Sequence, residues 1–174
     1  MTRFDLAFDY LLGDEGGYSD NPHDPGGATN WGVTQRSLDA FHGRHETELP
    51  TNVKDLTKDQ AKEIYRIQWW SPQFDKIKDE RIAIKIFSHH VNTDDGTFPS
   101  RAVKLAQKAV NEYPSPGTLV EDGVIGPKTL DALNTFTYWE FAPRFKHQLE
   151  AWYVSLNNPF FLRGWLVRIR KDPA

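Results

Sequence analysis

Apolar residues recur at the three-to-four spacing of an amphipathic helix through almost the whole chain, and no stretch alternates long enough to make a useful strand. Phe4, Ala7, Phe8, Leu11 and Leu12 set the pattern, and Gly13 with Gly16-Gly17 ends it. Residues 16–33 follow as a long structured loop, with four glycines between 16 and 27, two prolines, and Asp20, Asn21 and Asp24. A short hairpin fits inside residues 17–34. Thr34 can cap a helix over about 35–43. Thr57-Lys-Asp-Gln60 has the form of a capping box and starts a helix through Ala61, Ile64, Tyr65 and Gln68 to Trp70, which Ser71-Pro72 stops. Arg81–Val91 reads as a well-buried helix, and Pro99 is expected to open the next. Pro127 suits the first position of another. A last helical region runs from about Thr137 to Leu156, breaks at Asn157-Asn-Pro159 and resumes to Arg170. The expected fold is all-α, with at most one small β-element.

At 174 residues and 39% hydrophobic content the chain can bury one core, or one domain with a small appendage. A formal charge of −3 gives no global attraction to polyanions, so nucleic acid is not an expected partner. No run approaches the roughly 18 apolar residues of a membrane-spanning helix. The first ten residues hold Asp5 and Asp9 within their apolar pattern, which is not the composition of a secretory leader. Without cysteine there is no disulfide framework, thiol nucleophile or thiolate metal site. The aromatic content, six Trp, six Tyr and eleven Phe, is unusual, and some of it must be core. Rings beside a polar loop suit the faces of sugars.

The chemistry concentrates where the first helix meets the loop. Glu15 sits at or just past a helix C-terminus, whose partial negative charge raises a carboxyl pKa. Tyr18 or Trp31 could add an apolar wall. A carboxyl kept protonated in this way is what a glycosidase acid needs. Taken alone, the same glutamate would be an exposed loop residue serving solubility. Asp24 supplies a second carboxylate nine positions on, and glycoside hydrolysis commonly uses two such groups. Its Asp-Pro-Gly-Gly setting also describes a turn whose aspartate caps its own backbone. Gly26, Gly27 and Gly32 allow tight turns or a close approach of backbone to a sugar. Tyr18 and Trp31 either stack on a saccharide ring or brace the loop, and Trp31 is the preferred sugar contact.

Glu15-Gly-Gly-Tyr18 followed by Asp24-Pro-Gly-Gly-Ala-Thr-Asn-Trp-Gly-Val-Thr34 resembles the N-terminal signature of glycoside hydrolase family 108, the phage and prophage lysozymes. Tyr65-Arg-Ile-Gln-Trp-Trp70 resembles a further segment of that family. The likeness implies a lysozyme-like helical fold and an N-acetylmuramidase acting on peptidoglycan as an endolysin. It implies Glu15 as general acid, with Asp24 and a threonine handling cation and water. Phage-type lysozymes place that threonine five intervening residues after the aspartate. Here four residues separate Asp24 from Thr29, and Asn30 stands at the family's position. The water-holding role is therefore open between Thr29 and Asn30. Asn30 and Gly32 join Tyr18 and Trp31 as substrate contacts, and no cofactor is implied.

The second half resembles the family's peptidoglycan-binding region at Phe87…Val91-Asn92, Ala102-x-x-Leu105-x-Gln107, Asp122–Leu130 and Phe161-Leu-Arg-Gly-Trp-Leu-Val-Arg168. Residues 1–90 are thus expected to be catalytic and 91–174 to be a wall-binding-like region packed with them as one unit. Asn92-Thr-Asp-Asp-Gly96 departs from the family's Asn-x-Gly. His89 and His90 point about 100° apart on a helix and make a poor metal pair. Asp94-Asp95-Gly96 lacks the downstream acids of a calcium loop. Arg163, Arg168, Arg170 and Lys171 with Trp165 and Leu166 form a cationic amphipathic helix. Its plainer role is to dock on its own core with arginines solvated; the alternative is weak contact with anionic outer-membrane lipid or teichoic polymers. The expectation is a monomer made in the host cytoplasm without a signal peptide, reaching the wall after release.

Overall fold

The computed structural model describes residues 1–13, 17–20, 27–93, 96–114 and 118–174. Eight α-helices occur among them: α1 (Arg3–Leu12), α2 (Gln35–His42), α3 (Lys58–Gln68), α4 (Glu80–Thr93), α5 (Arg101–Asn111), α6 (Pro127–Leu133), α7 (Tyr138–Ser155) and α8 (Pro159–Arg170). The β-structure is one two-residue hairpin, β1 (Thr29–Asn30) against β2 (Val33–Thr34). The fold is the expected all-α one with a small hairpin.

Local signals start and stop these helices. Thr34 caps α2 by accepting from the Ser37 amide at 3.1 Å. The capping box at Thr57 is formed on both sides, Thr57 N–H to Gln60 Oε1 at 2.9 Å and Gln60 N–H to Thr57 Oγ1 at 3.3 Å. Thr137 and Glu140 form a second at the head of α7. Asn157, at φ +49°, turns the chain between α7 and α8. Pro99 does not open α5 as expected: the Phe98–Pro99 bond is cis, and Ser100 caps the helix through its hydroxyl to the Val103 amide.

The contacts divide the chain into two compact units, residues 8–68 and residues 1–7 with 69–174. The core of the smaller holds Phe8, Val33, Leu38, Phe41, Val53, Leu56, Ala61, Ile64 and Tyr65. In the larger, α5 packs on α4 and α7, and α8 lies on α7. Phe4, Trp70, Phe74 and Phe87 form a ring cluster with several centroid spacings near 5.2 Å. Gln107, fully buried, ties the turn before α6: its amide nitrogen donates to Asp122, the Val124 carbonyl and Thr129, and its oxygen accepts from the Gly123 amide. The Ala102–Gln107 and Asp122–Leu130 segments therefore meet as a packing knot.

Three buried ionisable groups on α4 belong to this core: Lys85, His89 and His90. Lys85 donates its ammonium to the carbonyls of Arg168, Ile169 and Lys171, satisfying the end of α8. Burial, with Lys146 and Lys171 nearby and Asp172 opposing, pushes it down to about 8. One turn on, His89 lies against the rings of Phe145 and Tyr153, and neither ring nitrogen meets a partner among the described residues. Burial first, then Lys85 and Arg168, holds it well below the ordinary histidine value, so it is neutral.

Candidate active site

The hairpin is the described part of the loop that the sequence marks for chemistry. Asn30-Trp31-Gly32-Val33 closes it with two central residues of positive φ, +51° at Trp31 and +75° at Gly32. That is the backbone sense of a type I′ turn, which matches the right-handed twist of the strands. Gly32 takes it freely; Trp31 does so at a cost. Two donors converge to hold the turn. The Trp31 indole N–H donates to the Leu56 carbonyl at 3.1 Å, and the Asn30 amide donates to the same oxygen at 3.0 Å.

Thr29 and Asn30 illustrate the two-residue alternation of a strand. Asn30 points inward, 5% exposed, and its amide nitrogen reaches the carbonyls of Val53 at 3.0 Å and Lys54 at 3.2 Å besides that of Leu56. Two N–H groups thus serve three acceptors, and the side chain ties β1 to the 3-10 turn Val53–Asp55. Thr29 is half-buried on the other face. Its backbone exchanges two 2.8 Å bonds with Ser19, and its hydroxyl donates to the Gly27 carbonyl at 3.2 Å. The hydroxyl's lone pairs remain available to accept from water or substrate.

Tyr18 lies one residue before the Ser19 bridge and is 44% exposed. Its hydroxyl donates to Asp20 at 3.3 Å, and Lys54 Nζ stands 5.8 Å over its ring. The segment holding Asn30 thus also puts a cation beside the Tyr18 ring, a contact spanning 36 positions that no local pattern in the sequence signals. Gly32 packs closely: a Cβ there would come 2.7 Å from the Tyr65 hydroxyl. Tyr65 is buried on α3 with its ring 5.5 Å from Phe8. The structure therefore gathers Tyr18, Thr29, Trp31 and Gly32 at one small hairpin and turns the Asn30 side chain inward beneath it. Glu15 and Asp24 lie outside the described residues. Among those described, no cluster of three or more His, Cys, Asp or Glu could hold a metal ion.

The family model described as glycosyl hydrolase 108 matches residues 8–93, a span that contains both carboxylates and the hairpin. A solved structure, that of SagA from Brucella abortus, is 34% identical with a TM-score of 0.73, over 95% of this chain and 88% of that one. No curated protein matches. The chain belongs to glycosyl hydrolase family 108 and is a glycoside hydrolase of the lysozyme type that degrades peptidoglycan.

Proposed function

We propose that the enzyme is an N-acetylmuramidase that hydrolyses the β-1,4 bond between N-acetylmuramic acid and N-acetylglucosamine. Glu15 protonates the glycosidic oxygen as the bond breaks. Asp24 stabilises the developing cation or takes a proton from water. Thr29, rather than Asn30, holds that water. The observation that carries this choice is the difference between two neighbouring side chains. The Asn30 amide is spent on three carbonyls, whereas the Thr29 hydroxyl gives its proton to Gly27 and keeps its acceptor side. A water that donates to Thr29 can donate its second proton to a carboxylate base. Trp31, fixed by the Leu56 carbonyl, offers its ring to the sugar. The biological role we assign is that of an endolysin, made in the host cytoplasm and acting on the wall as a monomer.

Mass analysis of soluble fragments from purified peptidoglycan tests this with wild type, Glu15→Gln and Thr29→Val. Reducing muramic ends from the wild type and none from folded Glu15→Gln are expected. Thr29→Val should lose about 100-fold in rate, the scale of a misplaced reactant. Anhydromuramic ends would move the enzyme to the lytic transglycosylases. A folded wild type that releases nothing would be a wall-binding virion protein instead.

A further inference from the structure

Helix α8 is held to its own unit by one side. Ile169 is buried, Trp165 stacks on Tyr153 of α7 at 4.9 Å, and Lys85 caps its end. Its other side is open. Phe160 is 82% exposed and Val167 63%, Leu162 and Leu166 are half-buried, and Arg163, Arg168 and Arg170 are exposed. Pro159, Leu162, Arg163, Leu166, Val167 and Arg170, spaced as one helix face, line a shallow groove of about 480 Å³. From Pro159 to Lys171 the sequence has four cations and no acidic residue, in a chain whose net charge is −3.

We infer that this face is a docking surface for a membrane carrying anionic phospholipid, on which α8 lies parallel to the plane. Charge complementarity selects an anionic partner. The apolar side chains select a bilayer over a hydrophilic polyanion. Phe160, Leu162, Leu166 and Val167 gain nothing from a soluble polymer, but they insert at the boundary between headgroups and acyl chains. The arginines at the same level meet lipid phosphates, which the guanidinium fork binds in pairs of hydrogen bonds. The helix lies on the bilayer and does not cross it; no helix among the described residues is long and apolar enough to span one. Trp165, Ile169 and the Lys85 cap hold the helix on its inner side, away from the exposed Phe160 and Val167. This surface is independent of the glycosidase reading.

Sedimentation with vesicles of phosphatidylcholine, with and without 30% phosphatidylglycerol, tests the proposal on the full chain at low and high salt. Binding to the anionic vesicles alone is expected, weakening as salt rises. Arg163→Gln with Arg170→Gln should reduce partitioning about 25-fold, roughly fivefold per cation near the surface. Phe160→Ser with Val167→Ser should reduce it at least about tenfold, since each buried methylene contributes. Both pairs are at solvent-facing positions, and circular dichroism with wall-degrading activity checks that they remain folded. No binding to anionic vesicles at low salt overturns the proposal. So does loss in the arginine pair with none in the apolar pair, which would indicate surface electrostatics only. A dimer in analytical ultracentrifugation that Phe160→Ser and Val167→Ser dissociate, with no vesicle binding, would give the face to a second copy and equally overturn it.

Discussion

Replacing Gly32 by alanine should separate two costs that the hairpin turn carries. At φ +75° any L side chain meets its own backbone, and alanine in place of glycine there costs about 1 kcal/mol. The added Cβ would also lie 2.7 Å from the Tyr65 hydroxyl and 3.4 Å from Leu12 Cδ2. Tyr65 is buried against Phe8, so its hydroxyl cannot swing aside, and overpacking of this kind costs about 1–3 kcal/mol. The sum is about 2–4 kcal/mol, or a fall in Tm of about 5–15 °C for a chain of this size. Gly27 is the control. Its φ is +71° and a Cβ there meets nothing within 4 Å, so Gly27→Ala carries only the backbone cost and about 2–4 °C. Urea and thermal unfolding of both variants, and of Tyr65→Phe in each background, complete the cycle. Removing the hydroxyl should recover about 1–2 kcal/mol in the Gly32→Ala background relative to its effect in the wild type. Equal losses at Gly27 and Gly32, or a Tyr65→Phe effect that is the same in both backgrounds, would refute the close approach as the cause.

Asn30→Ala should cost about 2–4 kcal/mol in urea unfolding, because the Val53 and Lys54 carbonyls lose the amide donor and the Leu56 carbonyl keeps only the Trp31 indole, and Asn30→Asp should cost more by setting a carboxylate against them. A stable Asn30→Asp would show that the amide is not the tie. His89 has a folded pKa below its unfolded value, so the unfolded chain binds the extra proton and stability falls as pH drops below about 6.5. His89→Leu should remove up to about 1.4 kcal/mol per pH unit of that slope between pH 6.5 and the folded pKa, measured by urea unfolding across the range. An unchanged slope would locate the acid sensitivity elsewhere. Lys85, also depressed, carries a charge penalty that is full below about 8 and lifts toward its ordinary 10.5. The wild type should therefore gain about 2 kcal/mol on Lys85→Met between pH 7.5 and pH 10. A constant difference would mean that Lys85 keeps its proton throughout.

The helix boundaries were legible because each rests on a few neighbouring residues. Thr34, Thr57 with Gln60, Thr137, Pro127 and the Asn157 break act within one turn of the chain. Pro99 misled by a short distance: it stands just before the helix, and the Ser100 hydroxyl takes the cap. The hairpin was anticipated in residues 17–34, yet the roles within it were not. Asn30 and Thr29 look interchangeable as polar neighbours, and only the fold shows that the partners of Asn30 lie 23 to 26 positions away. Lys85 stands in an apolar run and finds its acceptors 83 to 86 positions on, beyond any periodicity. Gln107 and Asp122–Thr129 were readable as family motifs, and the structure accounts for their residue types by packing alone.

Among the described residues Trp31 breaks a local rule, and its surroundings brace it. Tryptophan is a poor choice for a left-handed turn position, where asparagine, aspartate or glycine would cost less. A residue held there persists only if its surroundings over-determine it. Here they do: the indole and the Asn30 amide share the Leu56 carbonyl, and the buried Tyr65 hydroxyl closes the space beside Gly32. A turn optimised for stability alone would dispense with all of this by using Asn-Gly. What the tryptophan adds is a wide ring fixed in direction, immediately beyond the strand that carries the Thr29 hydroxyl. On the proposed reading, in which Trp31 and Thr29 meet the glycan, a ring and a hydroxyl already fixed spend no ordering entropy on binding, and positioning of that kind is a recognised source of rate. The strain at Trp31 is therefore more readily explained by what the hairpin presents than by what it stabilises.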